Sequence, residues 1–184
     1  HVEIPIFYKD KILHHPDMDF DVIVNPFTGE SKEIYKSKYG PFIIHIYPSR
    51  IWVRGSIHKY FNEVEDNGRQ NWNDFTRSNL IASIDHFCDS LSIMPQDTKI
   101  TKLEFGSNIN VEFDAVRFLK TNLVTYKYKK PHSVCEYHEK GYYTDFKSGE
   151  HYVKIYLKGL QEGVAPNLLR LETEHKNQSQ IGKF

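Results

Sequence analysis

A chain of 184 residues, 39% hydrophobic and 26% charged, is long enough to bury a core without metal or disulfide staples and too apolar to be disordered. Lysine plus arginine matches aspartate plus glutamate at 24 each, which argues against a bulk polyanion binder. No apolar run approaches the roughly 18 residues of a membrane-spanning helix, and HVEIPIFYKD lacks the basic start and apolar middle of a signal peptide. The opening at His1 and the stop at QIGKF suggest a fragment of a longer protein. Cys88 and Cys135 lie far apart, in no metal-ligand spacing, so reduced thiols in a cytoplasmic protein are expected.

Short β-branched and aromatic segments come first in chain order: VEIPIFY, FDVIV, FIIHIY and IWVRGSIHKYF. GPFIIHIYPSRIWVRGS reads as two strands around a turn at Pro48 and Ser49. NDFTRSNLIASIDHFCDSLSI is the one long helix, with Leu80, Ile84, Phe87 and Leu91 at helical spacing, Ile81 and Cys88 beside them, and Asn73 or Asp74 as cap. KITKLEFGSNINVEF reads as a strand broken at Gly106, and DAVRFLKTNLV as a short helix capped by Asp114. The last third returns to strands: LVTYKYKK, SVCEYH, GYYTDF, HYVKIYLK and NLLRLETEH. Without a repeat, linker or low-complexity tract, this order predicts a single α+β domain over 1–184. Its central, largely antiparallel sheet would carry one long and one short helix on one face.

The charge is unevenly spread. Lys120 to Lys158 holds eight lysines against four acidic residues. Within it, Tyr126 and Tyr128 interleave with Lys127 and Lys129, a pattern suited to stacking bases and pairing phosphates of a single strand. A lysine-guarded edge strand would look the same. Three strands split polar from apolar by alternation. One face carries Lys102 and Glu104, another Arg170, Glu172 and Glu174, and the third Tyr152, Lys154, Tyr156 and Lys158. If these strands are neighbours, carboxylates, cations and phenols share one surface. Carboxylates on rigid strands suit a hard divalent ion such as Mg²⁺ or Mn²⁺, with His58 or His45 as a neutral ligand. A metal beside lysines and a tyrosine suits phosphoryl transfer. The competing reading is the wet side of an ordinary antiparallel sheet.

The segments VRGSIHKYFNE, NDFT, KITKLEFGSNI and YVKIYLKGLQ…NLLRLETEHK resemble, in order and spacing, the replication initiators of filamentous-phage gene II type. They also resemble plasmid relatives of these initiators from the Bacteroides group. The resemblance covers roughly residues 50 to 184. It implies a rolling-circle replication initiator that nicks and rejoins single-stranded origin DNA through a 5′-phosphotyrosyl intermediate. Such a protein works with Mg²⁺ or Mn²⁺ in the bacterial cytoplasm, on a single-stranded or cruciform origin, with a host helicase as partner and no membrane. The resemblance further implies Glu104 and Glu172 as leading metal ligands, His58 third and Glu174 behind it. Lys154 and Lys158 match its phosphate-contacting positions. Tyr143 falls at the nucleophile's place, with Tyr142 beside it and Tyr152 and Tyr156 as fallbacks; Tyr126, Tyr128, Lys127, Lys129 and Arg170 complete a DNA-contacting set. Two departures stand out: Leu157 replaces an aspartate of the family strand, and a paired His-hydrophobic-His motif is missing, since His45 and His58 are thirteen positions apart. The alternative is a noncatalytic single-stranded nucleic-acid-binding module.

Overall fold

The computed structural model describes residues 1–131, 133–137, 141–149 and 151–175. His132, His138 and the closing QIGKF lie outside them. The fold is α+β with antiparallel sheets, as the alternation predicts. Where one central sheet was expected there are two, and the chain divides into two compact units, His1–Thr101 and Lys102–Phe184. Among the described residues no helix is long and apolar enough to cross a membrane.

The first unit runs β1 (Val2–Pro5), a 3₁₀ turn, α1 (Lys9–Leu13), β2 (Asp21–Val24), β3 (Ser31–Tyr39), β4 (Phe42–Ile46), β5 (Arg50–Arg54), α2 (Ile57–Val64), α3 (Arg77–Ser90) and β6 (Lys99–Ile100). Its sheet has the order β2-β3-β4-β5-β1-β6, all pairs antiparallel. Period-two alternation in β4 sends Phe42, Ile44 and Ile46 inward. There they join Ile4, Ile12, Ile51, Val53, Phe87 and Leu91 in one apolar cluster. Each such side chain contributes about 2 kcal/mol when buried.

Three local readings are corrected here. IWVRGSIHKYF is not one strand. β5 stops at Arg54, and Ser56 opens α2 by accepting from Lys59 N at 3.3 Å, which frees Ile57, Tyr60, Phe61 and Val64 to follow helical spacing. The cap of the long helix is Thr76, whose Oγ1 accepts from Asn79 N at 3.2 Å, not Asn73 or Asp74. Its inward face is also turned from the expected stripe: Ser83, Phe87, Cys88 and Leu91 are buried, whereas Ile81 and Ile84 are exposed. Ser83 is tolerated inside because its hydroxyl donates to Asn79 O at 2.6 Å.

The second unit runs β7 (Leu103–Asn110), α4 (Ala115–Arg117) leading into a π turn, β8 (Ser133–Tyr137), β9 (Gly141–Ser148), β10 (His151–Leu157), α5 (Lys158–Glu162) and β11 (Leu168–His175). Asp114 caps α4 as expected, accepting from Arg117 N at 3.0 Å. The sheet order is β7-β11-β10-β9-β8, all antiparallel, so β10 lies at its centre. Ala115, Leu119, Leu157 and Leu169 form an apolar cluster; Phe146 and Val153 are buried as well.

β7 does not break at Gly106 but runs through it, because this glycine meets the neighbouring strand closely. A Cβ there would lie 2.6 Å from Leu171 O and 2.9 Å from Glu172 Cγ. TYKYKK is a tight hairpin turn rather than a strand. Tyr126 bridges Lys129, and Lys127 and Tyr128 take φ of 48° and 63°.

Candidate functional site

Cross-strand register assembles the site. In one row across the second sheet stand Tyr143, Tyr156, Arg170 and Asn108; in the next Asp145, Lys154, Glu172 and Gly106; in the third Lys147, Tyr152, Glu174 and Glu104. Directly opposed residues of an antiparallel sheet share a face. The polar residues of β7, β10 and β11 singled out by alternation therefore meet on one surface, as the sequence pattern anticipated. A cleft of about 410 Å³ opens there, lined by Tyr142, Tyr143, Tyr152, Lys154, Tyr156, Gln161 and Glu172.

The groups on this face satisfy one another. Tyr156 donates its hydroxyl to Glu172 Oε1 at 2.9 Å, and Arg170 Nε donates to the same oxygen at 2.7 Å. Arg170 Nη1 reaches Asn108 Oδ1 at 3.1 Å, which fixes the guanidinium between two strands. Tyr152 donates to Asp145 Oδ2. Burial, then the Glu172 charge, pushes the Tyr156 phenol far above its ordinary value. Burial, then the bond to Asp145, does the same to Tyr152. Both phenols are thus neutral donors at physiological pH. The Lys154 ammonium lies 5.0 Å from the centre of the Tyr152 ring, and that of Lys147 lies 5.7 Å from it.

Glu104 and Glu174 oppose each other in register, and Lys102 Nζ sits between them at 2.7 and 3.0 Å. Burial pulls the Lys102 pKa down, but hydrogen bonds and charge from the two carboxylates outweigh it and hold the group above its ordinary value. The expected Mg²⁺ or Mn²⁺ site meets a definite obstacle here. The place of a cation between Glu104 and Glu174 is taken by an ammonium, and Glu172 is engaged by Arg170 and Tyr156. Among the described residues no three His, Cys, Asp or Glu side chains gather as ligands. In this arrangement the residues do not fit a divalent ion.

Other expected members are placed elsewhere. His58 is in the first unit, buried on α2; its Nε2 pairs with Asn73 Oδ1 at 2.8 Å and its ring stacks on Phe75. Asn62 closes that network through Asn73, which makes His58 a positioned core histidine. Lys158 does not continue the strand face. β10 ends at Leu157, and Lys158 starts α5 with only 2% exposure, bonded to Glu162 Oε1 at 2.5 Å. Tyr142 alternates to the apolar face, packed against the Leu119–Leu169 cluster with the Lys120 ammonium 4.0 Å from its ring centre. At the hairpin Tyr126 leans on Phe146 with centroids 5.8 Å apart, while Tyr128 is wholly exposed.

Sequence reasoning missed Asp145, which is 2% exposed and accepts the Tyr152 hydroxyl. The alternation in GYYTDFK, which puts Tyr143, Asp145 and Lys147 on one face, carried the signal. It also missed that Gly106, opposite Glu172, leaves room for the Glu172 and Arg170 side chains. No family model matches the chain, and neither a curated protein nor a solved structure matches it.

Proposed function

We propose that the second unit binds a DNA strand on the polar face of its sheet and cuts and rejoins it by transesterification on Tyr143, the activity of a rolling-circle replication initiator. The observation that carries this reading is the cleft in which Tyr143 and Lys154 stand among the phenols of Tyr152 and Tyr156. Tyr152 and Tyr156 hydrogen-bond to carboxylates and resist ionisation, which suits them poorly to attack phosphorus. Tyr142 also lines the cleft, but its ring packs against the apolar cluster. Tyr143 lines the cleft in register with Tyr156, two residues from Asp145.

In the proposed step the Tyr143 oxygen forms a bond to phosphorus and the bond from phosphorus to the 3′ oxygen breaks. The phenol proton passes to solvent and the departing 3′ oxygen takes one up. Lys154 stabilises the negative charge that grows on the phosphoryl oxygens. The phosphotyrosyl bond conserves the phosphodiester, so the 3′ hydroxyl can reverse the step without a nucleotide cofactor.

The test incubates the chain with a labelled pool of single strands of random sequence, with Mn²⁺ in one arm and a chelator in the other. The readout is label that stays on the protein after boiling in detergent. An adduct lost in Tyr143→Phe and kept in Tyr142→Phe is the expected result; an adduct retained in Tyr143→Phe overturns the assignment. A second reading, a noncatalytic single-strand binder, draws on the wholly exposed Tyr128 between Lys127 and Lys129. Reversible, salt-sensitive retention with no adduct in any arm selects it.

A further inference from the structure

The outer face of the first sheet has a composition that the activity proposed above leaves unused. The apolar cluster takes the inner residues of β1, β3, β4 and β5. Register places on the other side the row Lys36, His45, Trp52, Glu3 and Lys99, and beside it the row Lys38, Ile43 and Arg54. Aromatic rings run along this face. Tyr47 stacks on His45 with centroids 6.0 Å apart at 26°, and His45 lies 6.1 Å from Trp52.

Cations surround the rings. Lys36, Lys38, Arg50, Arg54 and Lys99 are all exposed, and Arg50 lies over the Tyr47 ring at 5.8 Å. Only two carboxylates share the face by register, Glu3 and, on the edge strand, Asp21. Glu3 answers Arg50 at a loose 3.9 Å. Burial and the charges of Lys36 and Arg54 push the His45 pKa down, as expected in a net positive field. His45 Nδ1 is buried with no hydrogen-bond partner among the described residues.

Flat rings at the centre of a strand surface, with cations in excess of carboxylates at the margin, match one ligand chemistry better than others. An acidic peptide would use the cations and leave the rings idle. A single nucleic-acid strand uses both, since every base has a π face and every linkage a charge. We propose that the outer face of the six-stranded sheet binds single-stranded nucleic acid, with bases stacked on Trp52 and Tyr47 and phosphates paired with Lys36, Lys38, Arg50 and Arg54. This surface lies wholly in the first unit and does not depend on strand transfer by Tyr143.

Trp52 and Trp72 are the two tryptophans, so Trp72→Phe leaves Trp52 as the sole indole reporter. Titration of that chain with a twelve-residue oligothymidylate should quench Trp52 emission saturably. The pair Lys36→Glu and Lys38→Glu, both exposed and harmless to the core, should weaken binding about tenfold. It should also lower the slope of log affinity against log salt by about 1.4. Trp52→Leu, checked for folding by circular dichroism, should lose about tenfold as well. Oligouridylate in parallel identifies the preferred sugar, quenching by either strand supporting the proposal. An unchanged Trp52 signal while anisotropy reports binding would overturn it, as would equal quenching by duplex or unaltered affinity in the charge-reversed pair. The quench should persist in Tyr143→Phe, so a failed adduct assay leaves this result standing.

Discussion

The two sheets of this protein share one design rule and differ in what it leaves exposed. Each has an apolar side against its own core and a polar side set by alternation. On the second sheet the polar side is internally neutralised: Arg170 with Glu172, Lys102 with Glu104 and Glu174, and two phenols on carboxylates. On the first it is rings and cations with little to balance them. The same sequence period thus yields a preorganised pocket in one unit and an open, charge-attracting surface in the other. Self-satisfied groups hold geometry, whereas unsatisfied charges await a partner.

The sharpest way to break this contrast is to remove one cation from each sheet. Arg170→Met leaves Glu172 half-buried without its guanidinium and should cost about 3 kcal/mol in urea denaturation. Arg54→Met on the first sheet should change stability by less than about 0.5 kcal/mol. Equal losses would show that the outer cations of the first sheet are structural.

Alkaline titration separates the units next. Burial holds the Tyr60 phenol in the first unit's core at about 12, above its ordinary value near 10. The contribution is therefore intact below pH 10 and is lost as pH rises from 10 to about 12, by about 2 kcal/mol. Tyr60→Phe should flatten that fall, measured by denaturation at stepped pH. Phenolate absorbance should show Tyr60, Tyr152 and Tyr156 ionising above the ordinary phenol value near 10.

Lys102→Met removes the ammonium between Glu104 and Glu174 and should cost about 2 kcal/mol at neutral pH, because Glu104 keeps access to water while Glu174 is buried. The smallest effect is expected for Lys36→Gln with Lys38→Gln, within about 0.5 kcal/mol by thermal denaturation.

Much of the second unit is legible in the sequence. Strict alternation in HYVKIYLK and LLRLETEH made Tyr152, Lys154, Tyr156, Arg170, Glu172 and Glu174 share faces, and antiparallel register kept them together. What alternation cannot show is where it stops. Lys158 continues the strand pattern in sequence yet begins a helix, and the Gly159 that follows it approaches Ala165 so closely that a Cβ would lie 1.4 Å from its carbonyl oxygen. α2 was hidden for a related reason: Ile57, Tyr60 and Phe61 have strand-like side chains, and only the Ser56 cap and a three-four spacing betray the helix. Two sheets rather than one follow from pairings distant in sequence, such as β1 with β5 and β7 with β11, which no local pattern encodes. Asp145 escaped notice as one acid in a basic stretch, although its neighbours made it part of the site.

The hairpin at Lys127 and Tyr128 has a consequence of its own. Both residues adopt left-handed backbone, which disfavours large side chains by about 1 kcal/mol each, and Asn-Gly would make the same bend with less strain. A Lys127→Asn, Tyr128→Gly exchange would therefore yield a hardier molecule lacking its most prominent solvent-facing ring. Robustness and the capacity to touch a ligand pull in opposite directions at this tip.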